Sequence, residues 1–260
     1  MPTRWFNRHG RQYGLWRSHF APNARAAAIT LVGVLMLIAL GVWQLDRFAW
    51  KNALIAHIHA GIAAPTAPLP ATLGTPTGDR PETFEYRHVV VTGRFLNDQE
   101  LYLVARSRFG NDGLEIVTPL MRTDGGGVVL VNRGWVPKER RPPGSRRAGL
   151  LEGTVTVAGI ARLPPHPSWY LPENRPDLNQ WLSIDIPAMA AAAGIDPTMP
   201  LAPVVIDAGP AYNPGGLPVG SQTVIDPPND HFQYALIWFG LAGGLILVYL
   251  ISYWHRELPN

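Results

Sequence analysis

The stretch "NDHFQYALIWFGLAGGLILVYLISY", residues 229–253, leaves a Pro- and Gly-rich passage and then runs without a charge from Phe232 to Tyr253. At 1.5 Å per helical residue that run is roughly 33 Å long, enough to cross a hydrocarbon core of ~30 Å. A second run, Ala26 to Leu45, is equally free of charge. Trp43 lies near the end of the first run in the chain, and Tyr249, Tyr253 and Trp254 close the second. Amphipathic rings of this kind favour the headgroup level. The two runs read as membrane spans; the other possibility is a pair of buried core helices.

The flanking charges suggest an orientation. Arg4, Arg8, Arg11, Arg17 and Arg25 precede the first span with no acidic residue among them, and Arg47 and Lys51, beside Asp46, follow it. The positive-inside bias then places the N-terminus in the cytoplasm, or in a mitochondrial matrix. Asp226 and Asp230 precede the second span and Arg256 follows it, so the chain returns to the same side. The expected organisation is a basic cytoplasmic N-terminus over 1–25, spans over 26–45 and 232–253, an extracytoplasmic domain over 46–231 and a short cytoplasmic end over 254–260. The first span is long for the apolar region of a signal peptide, and Ala39 and Gly41 make a poor cleavage site, so it reads as an uncleaved anchor. An Arg-rich leader also suits a transit peptide. Its Trp and Phe residues and low Ser content favour a bacterial inner-membrane protein with a periplasmic domain.

The 260 residues carry a net charge of +3 and no cysteine. That excludes disulfides, thiolate metal sites and thiol nucleophiles. Nothing in the composition calls for a nucleic-acid partner.

Between the spans the pattern changes. Trp43, Arg47, Trp50 and Leu54 recur at helical spacing, so the first helix should run on into water. Pro65 to Pro81 reads as loop. Four Val- and aromatic-rich runs follow, Tyr86–Phe95, Leu101–Ser107, Leu114–Met121 and Val128–Val136. Asn111-Asp112-Gly113 and Asp124 with its following glycines supply turn signals, so the four runs predict an antiparallel meander. Thr154–Leu163 and Leu201–Asp207 are further strands, and Asp185–Ala193 is a short helix with Asp185 as N-cap and Gly194 just past its end. The fold class is thus a membrane protein with two transmembrane α-helices flanking a mainly antiparallel β extracytoplasmic domain with a short helix (α+β). In "VNRGWVP", residues 131–137, Val131 and Trp135, with Val129 before them, should fill the core. Gly134 should sit at a bulge or at a bend where the strand leaves the sheet, and Arg133 needs an acidic partner that the sequence does not identify. The basic loop Lys138–Arg147 reads either as solvated or as a contact for anionic lipid or a partner.

No G-x-S-x-G, H-E-x-x-H or phosphate loop is present, so the reading is non-enzymatic. His57 and His59 are two residues apart and would not face each other on a helix. The scattered methionines argue against copper delivery. His231 stands out. Asp230 and Gln233 suit a capped helix start, and His231, Tyr234, Ala235 and Trp238 then share one face. That face offers a nitrogen ligand, two flat rings and a small residue, as a haem site needs. The other reading is a helix-start histidine at the interface beside belt aromatics.

Seven pieces in order carry a family resemblance. They are "LGVWQLDRFAWK" at 40–51, "EYRHVVVTGRF" at 85–95, "ELYL" at 100–103, "VLVNRGWVP" at 129–137, "PENRPDLNQW" at 172–181, "GLPVGSQT" at 216–223 and "NDHFQYALIWFG" at 229–240. With them the chain resembles the Surfeit locus protein 1 family, membrane proteins that assist assembly of cytochrome c oxidase. Where that family often has Thr in its last motif, this chain has Ile237. The resemblance implies haem a handling during its insertion into oxidase subunit I, with His231 as ligand to the haem iron. Tyr234 and Trp238 would flank the ring, and Arg47 and Lys51 would either pair with its propionates or anchor to lipid phosphate. Partners implied are subunit I and membrane lipid, with the haem a synthase as a further candidate. The alternative is a haem-free scaffold that steadies nascent subunit I or the synthase.

One packing expectation follows from helical geometry. Gly240 and Gly244 form a G-x-x-x-G pair roughly opposite His231. The first span, with Gly33 and Gly41, is expected on that glycine face, leaving the histidine face open. The alternative closes the histidine face within one chain.

Overall fold

The computed structural model describes residues 17–20, 23–165, 172–211 and 213–257. Arg4, Arg8 and Arg11 lie outside the described residues, as do the side chains of Arg17 and Arg256. In chain order the elements are β1 (Arg17–Phe20), α1 (Ala24–Ala63), β2 (Ala67–Pro68), β3 (His88–Phe95), β4 (Leu101–Arg108), β5 (Asn111–Arg122), β6 (Val128–Pro137), β7 (Thr154–Arg162), α2 (Ile186–Ala192), β8 (Leu201–Ala208), α3 (His231–Ser252) and β9 (Trp254–Glu257). They fall into two units, one made of the chain up to Ala53 and from Pro228 onward, the other of Leu54–Pro227.

The first unit is a helix pair. Both α1 and α3 are long and apolar enough to cross a membrane, and the chain is a membrane protein with two such helices. With 40 residues α1 is about 60 Å long, roughly twice the hydrocarbon thickness, so it continues past Leu45 without a break. Large apolar side chains such as Leu31, Met36, Leu236 and Leu247 are exposed. The residues buried between the helices are small or branched: Val34 and Gly41 on α1, Ala235 and Ala242 on α3. β1 pairs antiparallel with β9, from Arg17↔Glu257 to Phe20↔Trp254, which holds the start of α1 beside the end of α3.

The packing expectation fails here. Gly240 and Gly244 have no atom near the place where a Cβ would sit, whereas Gly41 faces the ring of Phe239 and Gly33 faces Leu245. The first span therefore packs on the face of His231, Ala235 and Ala242, and the G-x-x-x-G face is open. The reason is steric: Ala235 and Ala242 recur seven apart and already permit close approach, and Gly41 makes room for one aromatic ring.

The second unit is built on a sheet of order β2-β3-β7-β8-β6-β5-β4, with a further pairing of β3 to β5. That pairing, over Gly93↔Arg122 to Phe95↔Leu120, closes β3, β7, β8, β6 and β5 into a ring. β4, β5 and β6 form a meander, but β3 is not part of it. One edge of β3 is taken by β7 over seven residue pairs, and the other by β2 and β5. β5 changes partner along one edge, from β4 up to Val117 to β3 from Leu120 on. Pro119, which has no N–H to give, lies at that change. β6 and β8 run parallel, an arrangement the hairpin signals did not predict.

Side chains alternate across β6 and β8 as period two requires. Val129, Val131, Val204 and Ile206 enter the core inside the ring with Val89, Val91 and Phe95. Leu130 and Val205 enter a second core under α2, with Leu103, Met189 and the fully buried Trp181. Asp185 caps α2 as expected, its carboxylate accepting from the Ala188 amide at 3.0 Å.

Candidate functional site

Two motif pieces meet in the helix pair. Gly41, Gln44, Phe48 and Asn52 climb one face of α1, and Phe239, His231, Phe232 and Asn229 oppose them in turn. The His231 Nδ1 lies 2.7 Å from Gln44 Oε1. The amide oxygen only accepts, so Nδ1–H donates, and in the neutral ring Nε2 then keeps its lone pair. The rings of Phe48 and Phe232 are 5.6 Å apart. Asn229 Nδ2 donates to Asn52 Oδ1 at 2.8 Å and toward the Phe48 carbonyl at 3.4 Å, while Asn229 Oδ1 is buried without a partner among the described residues.

The sequence face of four residues is divided by this packing. His231 is half-buried at the first turn of α3 and Trp238 is also half-buried. Ala235 is 1% exposed and fills the contact with α1, so it leaves no space for a ring. Tyr234 is 53% exposed and lies outside the contact. Asp230 precedes the helix without capping it through its side chain, against the expected capped start. Arg47 is exposed and stacks over Trp50 at 4.0 Å, and Lys51 is half-buried. His57 and His59 point to different partners, Glu85 at 3.2 Å and Asp226 at 2.6 Å, so the structure does not bring them together. Sequence reasoning missed Gln44. Its signal was present, because a Gln is unusual in an apolar run and it sits one turn before Phe48.

Among the described residues of the β domain, two polar clusters lie near the motif pieces, and the first gives Arg133 its acid. Glu100 accepts two bonds from Arg146, at 2.9 and 2.5 Å, and its Oε1 lies 3.8 Å from Arg133. Arg133 also donates to the Gly149 carbonyl and stacks over Phe95 at 4.6 Å. All three side chains are sealed from solvent. Burial pulls the Arg133 guanidinium down to about 10, with Glu100 opposing and Arg146 adding to the fall. So the basic loop is neither wholly solvated nor wholly free, since Arg146 is locked inside. Gly134 has φ +117, and a Cβ there would overlap the Val219 carbonyl. The β5–β6 register shifts at this point, so the expected bulge is present.

The second cluster lines a cavity of about 520 Å³. Asn132 Nδ2 bridges Glu115 at 2.9 Å and Asp207 at 3.1 Å. Arg162 and Thr223 complete Asp207, at 3.0 and 2.7 Å. Burial raises the Glu115 pKa, with Arg106 and the Asn132 hydrogen bond acting against it. The "PENRPDLNQW" piece is likewise structural. Asn179 in a left-handed conformation accepts from the Trp181 indole at 3.0 Å and donates to the Glu100 carbonyl at 2.8 Å.

The motif pieces and their placement agree with comparisons to known proteins. A SURF1-like protein of Monosiga brevicollis is 37% identical over 214 residues, covering 78% of each chain. Mouse Surfeit locus protein 1 is 37% identical over 219 residues, 78% of this chain and 67% of the relative. The human protein of that name is 36% identical over 231 residues, 80% and 73% of the two chains. The SURF1 family model matches residues 31–243, from within α1 to within α3, and the chain belongs to the SURF1 family.

Proposed function

We propose that this membrane protein is an assembly factor for cytochrome c oxidase that holds haem a at His231 before its insertion into subunit I. The observation that carries this is the placement of His231. It is a half-buried imidazole at the first turn of a membrane-crossing helix, with Nδ1 engaged and Nε2 uncommitted. An uncommitted imidazole nitrogen is a ligand to haem iron, and the donor set therefore fits.

The surrounding residues suit a cargo that is to be released. Tyr234 presents exposed aromatic surface outside the contact with α1, and the half-buried Trp238 lies two turns on from the imidazole. Arg47 and Lys51 lie toward the water-facing part of α1 and supply cations for propionates. The apolar tail of haem a would remain in lipid. In this reading the protein is a holder, not an enzyme, and its partners are subunit I and the haem a synthase. The arginine bias favours both termini in the cytoplasm and the β domain in the periplasm of a bacterial inner membrane.

The test is the visible spectrum of the full chain purified in detergent with haem a. A Soret band that His231→Ala abolishes supports the proposal. A protein that is colourless in both forms would be a haem-free scaffold.

A further inference from the structure

We infer that Gln44 is a positioning residue for the His231 ligand, fixing both its tautomer and its ring plane. The inference rests on the proposed haem site and goes beyond it to a residue on the other helix. An imidazole in water exchanges its proton between Nδ1 and Nε2, and only the nitrogen without the proton binds iron. Gln44 Oε1 faces Nδ1 at 2.7 Å. A carbonyl oxygen has no hydrogen to give, so it selects the Nδ1–H tautomer and leaves the Nε2 lone pair aimed away from α1. A histidine that ligates a metal commonly donates its second N–H to such an acceptor, which orients the ring and raises its basicity.

The placement makes this specific to the helix pair. Phe48 packs on Phe232 one turn beyond Gln44, and Gly41 meets Phe239 one turn before it. These contacts set the register of α1 against α3, so the Gln44 oxygen arrives at one nitrogen of one ring. Among the described residues no other hydrogen bond is made by either side chain. Gln44 is therefore not needed to satisfy a buried group elsewhere, and among the described residues it is the hydrogen-bond partner that orients His231.

The experiment titrates haem a into the full chain in detergent and reads affinity and the iron–histidine stretch of the ferrous complex by resonance Raman. Gln44→Leu removes the acceptor and should weaken binding by about 10–100-fold. Gln44→Glu keeps an acceptor and makes it anionic; it should restore binding and raise the stretching frequency above that of the native protein. Gln44→Glu also shows whether position 44 tolerates change in the folded pair. Native affinity and frequency in Gln44→Leu, with binding lost in His231→Ala, would overturn the role of Gln44 while leaving the haem site in place. Undiminished binding in His231→Ala would overturn the haem site itself, and the role of Gln44 with it.

Discussion

The helix pair and the β domain are held by opposite means. Between α1 and α3 the buried residues are small, and the large apolar side chains face outward. Lipid solvates those side chains as well as a core would, so the helices gain by close approach, not by hiding apolar surface. In the β domain the large side chains are sealed, and even Arg133, Glu100 and Arg146 are buried together. Those three have a structural explanation, since Arg133 leaves the strand at the Gly134 bulge and Arg146 ties its loop to Glu100. His231 has no such task. Neither bulge nor loop depends on it, and it stands half-buried where packing alone would favour another Ala. A polar residue that keeps one ring nitrogen uncommitted among the described residues is the better candidate for function.

Substitutions in the two regions should act by different routes. The largest effect is expected from Gly134→Val, which meets both a positive φ and the Val219 carbonyl. It should cost on the order of 4 kcal/mol or more, read as loss of folded protein in a detergent extract. Normal accumulation with lost assembly activity would instead make the stretch a contact site. Glu100→Gln leaves Arg133 and Arg146 buried without their shared carboxylate. A loss of about 3–5 kcal/mol is expected in chemical unfolding of the domain.

The helix pair should respond to position, not to residue type. Ala235→Leu overfills the seam and should cost about 1–3 kcal/mol, whereas Gly240→Ala points into open space and should change the melting temperature little. Equal effects from both would mean that α1 contacts both faces of α3.

The smallest effect concerns Glu115. Because burial raises its pKa, the folded state keeps the proton to higher pH than the unfolded chain does. Between the ordinary carboxylate value and the raised one, stability falls as pH increases. Glu115→Gln cannot titrate, so its melting temperature should decline less than the native one as pH rises above the ordinary carboxylate value of about 4.

Much of this was legible in the sequence. Charge-free runs gave the spans, β-branched runs gave the strands within a few residues, and Asp185 and Gly194 marked the ends of α2. The partners of β3 were not legible, because the meander reading joined it to the next run in the chain and nothing local reveals that β7 takes one edge and β2 and β5 the other. The parallel pairing of β6 with β8 is equally non-local. The same reason hid Glu100 as the acid for Arg133. At the candidate site His231 was readable from its type and place. The face α1 covers was misjudged, because a G-x-x-x-G pair is a stronger pattern than two alanines seven apart. Gln44 could be assigned only once the two helices were set side by side.

In the proposed function His231 Nε2 holds the iron of haem a. Electron–nuclear double resonance on the ferric haem a complex, prepared with nitrogen-15 histidine, tests it most directly. The account predicts a nitrogen-15 coupling from an axial imidazole that disappears in His231→Ala. A haem complex without that coupling, or one that retains it in His231→Ala, would contradict the account.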